Sequence, residues 1–94
     1  MDLKELRQKI DKIDDEIVRL FEQRMEVSGE IARYKFAHDL PMHDPAREQQ
    51  KIQELSIKVK KGNETYISAL YSLLFELSRA NQKQIINAEQ PKNG

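Results

Sequence analysis

The sequence predicts an all-α fold: three helices per chain, a long first helix and two shorter ones, joined as an intertwined helical homodimer. Three observations lead there. Only three Gly and three Pro punctuate 94 residues, and Glu, Lys, Leu, Gln and Ile dominate. Apolar residues recur every three and four positions. The first such run is longer than a domain of this size can cover by itself.

In the first element, Leu3, Ile10, Ile17 and Ile31 fill one heptad position and Leu6, Ile13, Leu20, Val27 and Tyr34 the other. A sustained 3.5-residue repeat is the mark of a helix packed along its whole length. It runs from residue 3 to about residue 36, or ~50 Å at ~1.5 Å per residue. A compact chain of this length has a diameter of only ~32 Å. One end of the helix would therefore project with its seam wet, and a second copy of the chain is the simplest cover. Residues Ala37 to His43 read as a loop. Asp44-Pro45 reads as N-cap and first helical residue of helix two, whose stripe is Ile52, Leu55 and Val59. Lys60-Lys61-Gly62 suits its C-terminal end. Asn63 caps helix three, which buries Ile67, Leu70, Tyr71, Leu74, Phe75 and Leu77 and runs to about Ile86. One domain, residues 1–86, is expected. The polar tail 87–94, with Pro91, is expected to be disordered or the stub of a linker to a further domain.

Composition removes several function classes. Sixteen cationic and sixteen anionic residues give a formal net charge of zero, so no global field attracts nucleic acid or an anionic membrane. Cysteine is absent and there are two His, which excludes disulfide and thiolate chemistry and disfavours a metal site. No apolar run approaches a membrane span, and the first residues lack the apolar core of a signal peptide. A cytoplasmic protein without cofactor or metal is expected.

The informative positions are polar residues where apolar ones belong. Arg24 interrupts the seam, and a guanidinium there needs an anionic partner. A Glu that sets helix register and a bound ligand both satisfy that need, and periodicity does not choose between them. Lys35 lies eleven residues on, ~3 turns away on nearly the same face, leaving room for a small ligand between two long side chains. Arg7 is ~25 Å from Arg24 along the helix, so one chain cannot bring both to one ligand. Two antiparallel copies crossing near Asp15 and Glu16 would place Arg7 of one beside Arg24 of the other. In helix two, Glu48 sits on the apolar stripe with Asp44 and Arg47 beside it. Asp44 is also an N-cap, and Glu48 also suits a helix N-terminus. In helix three, Ser78 and Gln82 interrupt the stripe at one-turn spacing. Together these positions describe a pocket for a small dianion carrying hydroxyl or ether groups. They offer little for acid–base or covalent chemistry.

The pattern Leu6-Arg7-x-x-Ile10-Asp11-x-Ile13-Asp14, followed by Leu20, Arg24 and Lys35, resembles the opening of the all-α class of chorismate mutases. Pro41-Met42-His43-Asp44-Pro45-Ala46-Arg47-Glu48 is similar to that family's Pro-x-x-Asp-x-x-Arg-Glu. Ser78-Arg79-Ala80-Asn81-Gln82 is similar to its Ser-x-x-x-Gln. The resemblance covers residues 3–86 and implies the Claisen rearrangement of chorismate to prephenate in aromatic amino acid biosynthesis. No proton transfer, covalent intermediate or cofactor is required. Catalysis then consists of holding the dicarboxylate in a compact near-attack form and stabilising charge on the ether oxygen. The resemblance assigns the carboxylates to Arg24, to Arg7 of the other chain and to Ser78. It assigns the ether oxygen to Lys35 and Gln82, and the ring hydroxyl to Glu48 with Arg47 and Asp44 nearby. It also implies that the chain could be the mutase domain of a bifunctional enzyme. Two other readings stay open: an isochorismate pyruvate-lyase on the same fold, and a non-catalytic helical dimerisation or ligand-sensing module.

Overall fold

The structure, a computed structural model, describes residues 1–89. It holds three helices, α1 (Leu3–Ala37), α2 (Pro45–Ser56) and α3 (Glu64–Glu89), and no strand among the described residues. Asp2 caps α1, its carboxylate accepting from the Glu5 amide at 2.8 Å. The helix stops where Asp39 turns left-handed, at φ 54°. The Leu40 amide then reaches back to the Lys35 carbonyl at 2.8 Å, satisfying a carbonyl that the helix no longer serves. His38 stacks on Tyr34, with ring centroids 4.0 Å apart, and closes the same end. Asp44 caps α2 through the Arg47 amide at 3.1 Å, with Pro45 at the first helical position, as its sequence predicts.

Two boundaries differ from the sequence reading. Helix α2 ends at Ser56, before Lys60 and Lys61. The Ser56 hydroxyl donates to the Ile52 carbonyl at 2.8 Å, a back-bond that competes with the helix, and the β-branched Ile57 and Val59 weaken propagation. Gly62 does adopt the left-handed region, at φ 102°, but within the connection rather than directly behind the helix. Helix α3 runs on to Glu89, three residues past its expected end, where Arg33 of α1 meets the Glu89 carboxylate at 2.7 Å. This half-exposed pair is worth no more than ~1 kcal/mol. The rest of the expected tail lies outside the described residues.

Contacts between α1 and α3 advance together along both helices, from Arg24–Ser78 through Ser28–Gln82 to Arg33–Glu89, so the two helices run parallel. They meet closely where residues are small. Ser28, Gly29 and Ala32 are buried, and a Cβ on Gly29 would stand 2.8 Å from the Ile85 Cδ1. Helix α2 packs on α3. The first twenty residues are all exposed, and the chain measures 62 × 27 × 15 Å with a radius of gyration of 17.2 Å. A compact chain of this length has ~12 Å. The seam is accordingly open: Leu3, Leu6, Ile10, Ile13, Ile17 and Leu20 are 46–61% exposed. On α3, Leu70 and Leu77, expected to be buried, keep 50% and 39% of their surface. No helix among the described residues is long and apolar enough to cross a membrane.

Candidate active site

The C-terminal half of α1, the loop after it, the first turns of α2 and the middle of α3 enclose a cleft of ≈ 310 Å³. That is the low end of the range for small-molecule sites. Seven of the eight residues singled out in the sequence line it: Arg24 and Lys35 from α1, Asp44, Arg47 and Glu48 from α2, Ser78 and Gln82 from α3. The eighth, Arg7, is exposed and ~25 Å away along α1, outside the cleft of its own chain.

Each side chain has a local reason for its place. Arg24 and Ser78 face one another across the parallel helices, the guanidinium donating to the Ser78 hydroxyl at 2.9 Å. Its carbon also lies 5.6 Å from the Tyr71 ring centre and 5.4 Å from that of Phe75, a cation–π setting. Among the described residues Arg24 forms no ion pair with a carboxylate. The register-setting Arg–Glu pair is therefore not what this structure contains, and the half-buried charge has only a neutral hydroxyl and ring faces as partners. One turn and two turns further along, Ser28 and Ile31 of α1 face Gln82. The Gln82 amide donates to the Ser28 carbonyl at 3.0 Å, leaving its second N–H and its oxygen uncommitted to that bond. Lys35, at the helix end, reaches the Met42 carbonyl at 3.3 Å and so ties the loop to α1.

Seven further residues line the cleft that sequence reasoning did not assign to it, among them Ser28, Met42 and Phe75. Val27 and Ile31 form an apolar wall; their heptad spacing marks them only as seam. Lys51, one turn beyond Arg47, adds a cation. Arg79 stands in the sequence only as an unassigned position of the third-helix motif, yet its Nη1 lies 2.6 Å from both oxygens of Glu48. Its position directly after Ser78 gives no periodic signal, because i and i+1 point to different sides of a helix. The Ser28 hydroxyl is buried and has no partner among the described residues.

Charge decides what the cleft can hold. Arg24, Lys35, Arg47, Lys51 and Arg79 face two carboxylates, Asp44 and Glu48, an excess of three positive charges in a chain whose formal net charge is zero. The walls from Val27, Ile31 and Phe75 are apolar and lower the local dielectric, which strengthens those charges toward a bound anion. No group of His, Cys, Asp or Glu among the described residues could hold a metal ion. The arrangement can bind a small dianion, hold it from several sides and donate hydrogen bonds to neutral oxygens.

Comparisons with known proteins agree with this chemistry. Residues 6–83 match the family described as "Chorismate mutase type II". A chorismate mutase of Methanocaldococcus jannaschii is 32% identical over 93 residues, covering 97% of this chain and 94% of that protein. A bifunctional chorismate mutase/prephenate dehydratase of Aquifex aeolicus is 42% identical over 64 residues, which is 65% of this chain but only 18% of the longer protein. The fold matches the crystal structure of a chorismate mutase from Helicobacter pylori in complex with prephenate. Its TM-score is 0.84 at 31% identity, covering 95% of this chain and 97% of that one. The chain belongs to the type II chorismate mutase family and is an isomerase of that family, acting on chorismate to form prephenate.

Proposed function

We propose that the rearrangement takes place in this cleft, that the cleft is completed by a second copy of the chain, and that its residues act by restraint and electrostatics alone. The observation that carries the reading is Arg24, a half-buried guanidinium without a carboxylate partner, set in a cleft with three excess positive charges. A substrate carboxylate supplies what Arg24 lacks.

In this reading Arg24 holds one carboxylate of chorismate with help from the Ser78 hydroxyl. Arg7 of the second copy, brought across the crossing of the two long helices, takes part in binding the carboxylates. The two ends of the flexible dianion are thereby drawn into the compact chair in which the new C–C bond forms. Fixing that geometry accounts for up to about 7–11 kcal/mol of a barrier. Lys35 and Gln82 point donors at the ether oxygen, which gains negative charge as its C–O bond breaks. Their hydrogen bonds therefore strengthen toward the transition state and lower the barrier rather than merely tightening binding. Glu48, with Asp44 and Arg47 beside it, accepts the ring hydroxyl and sets which face of the ring enters. No proton need leave the substrate, which suits a cleft whose polar groups are cations, two carboxylates and neutral donors.

The second copy is supported by the open seam of α1 and by the distance of Arg7 from its own cleft. The relative solved with prephenate supports the ligand class.

The test is Lys35→Ala. Loss of a donor to developing charge should lower kcat by about 10²–10³-fold with a much smaller change in KM. A variant that raises KM and leaves kcat intact would show that Lys35 binds the ground state only.

A further inference from the structure

We propose that Arg79 is a positioning residue that holds the Glu48 carboxylate in place for the substrate's ring hydroxyl, a proposal that rests on the role given to Glu48 above. Glu48 sits in the first turn of α2 on a long side chain with several rotatable bonds, and it is only 24% exposed. Left to itself such a carboxylate would sample several partners. Arg47 and Lys51 share its helix, Arg24 and Lys35 approach from α1, and the loop residue His43 has its Nε2 3.7 Å from a Glu48 oxygen. One contact outranks these: Nη1 of Arg79, on α3, is 2.6 Å from both carboxylate oxygens.

The geometry does two things. It ties α2 to α3 at the cleft, so that the carboxylate is oriented before the substrate arrives. It also leaves Glu48 able to act. A carboxylate has about four acceptor sites, and a single nitrogen shared between the oxygens occupies the inner side and leaves outer lone pairs for a hydroxyl. The Arg79 side chain is 36% exposed and borders both the cleft and a neighbouring hollow of ≈ 260 Å³ lined by Met42, His43, Lys83 and Ile86, so the contact to Glu48 is what fixes it. With the Arg79–Glu48 pair already formed, the carboxylate needs little fresh loss of side-chain entropy when substrate binds.

The test compares Arg79→Met, Arg79→Lys and Glu48→Gln with the double variant Arg79→Met/Glu48→Gln, in the full chain, by steady-state kinetics with chorismate and by thermal melting. Arg79→Met should lower kcat/KM by about tenfold, a coupling typical of paired neighbours, while Arg79→Lys recovers part of it. In the Glu48→Gln background the same Arg79 substitution should cost less than about twofold, because its effect passes through the carboxylate. Equal losses in both backgrounds would overturn the proposal, since Arg79 would then act on the ligand or the fold directly. A lower melting temperature with unchanged kinetics would overturn it too, leaving only helix docking. Unchanged kinetics in Glu48→Gln alone would remove the role of Glu48 and the proposal with it. Should Arg79→Met lose its helical signal, Arg79→Gln replaces it in the same comparison.

Discussion

Ile13→Asp places a carboxylate in the middle of the open α1 seam, and its effect can be worked from the structure. Ile13 is 54% exposed, and its seam neighbours Leu3, Leu6, Ile10, Ile17 and Leu20 lie between 46% and 61%. Full burial of a Leu or Ile is worth about 1.5–3 kcal/mol, so covering the remaining half of each contributes about 1 kcal/mol. Six such residues on each of two chains give on the order of 10 kcal/mol, to which the exposed Leu70, Leu73 and Leu77 of α3 add. That is of the same order as the association cost of about 4–15 kcal/mol, so burial of this seam is the contribution on which dimerisation turns. Ile13→Asp removes about 1 kcal/mol of burial per chain and buries an unpaired carboxylate at several kcal/mol per ion. The dimer dissociation constant should rise by at least about 10³-fold. Sedimentation at micromolar protein should then show monomer, and turnover should fall with it, because each cleft has lost the Arg7 of its neighbour. A wild-type monomer that turns over chorismate, or an Ile13→Asp monomer with full activity, would refute the reasoning. So would an unperturbed dimer.

Three further outcomes follow. Arg7→Ala and Arg24→Ala, each weakly active alone, should regain part of the wild-type activity when mixed and allowed to exchange subunits, since some mixed dimers carry one intact site; no regain after confirmed exchange would show that sites are not shared. Ser28→Ala should raise the stability of the ligand-free protein by about 1 kcal/mol in denaturant titration, because it removes a buried hydroxyl without a partner; a loss of similar size would show that the hydroxyl is satisfied. Asp44→Ala removes the cap whose carboxylate accepts the Arg47 amide and should cost about 1 kcal/mol of stability, with an added loss of activity from the misplaced first turn of α2.

The helices themselves were legible because their signals are local. Heptad spacing marked α1 from Leu3 onward, and Asp44-Pro45 marked the start of α2. The cleft residues were legible for a different reason. Arg24, Glu48, Ser78 and Gln82 each interrupt an apolar stripe, and a stripe faces the interior, so its polar members had to meet there. What stayed hidden depended on side-chain hydrogen bonds that periodicity does not register, one local and the others between residues distant in sequence. The end of α2 was decided by the Ser56 back-bond, and the extra turn of α3 came with the Arg33–Glu89 pair. Arg79 gave no periodic signal at all, and only the packing of α2 on α3 brings it to Glu48. The Arg24 partner could be narrowed to an acid or a ligand from the sequence; the structure leaves the guanidinium with a hydroxyl and two aromatic rings.

The most direct measurement is the loss of chorismate ultraviolet absorbance with purified protein in the presence of a chelator, with the product identified by acid conversion of prephenate to phenylpyruvate. The account predicts turnover to prephenate that needs no metal or cofactor and that falls by at least about 10²-fold in Arg24→Ala, the variant that removes the one cleft guanidinium placed on a substrate carboxylate without a carboxylate partner of its own among the described residues. A folded dimer that leaves chorismate untouched but releases pyruvate from isochorismate would contradict it, as would turnover undiminished by Arg24→Ala.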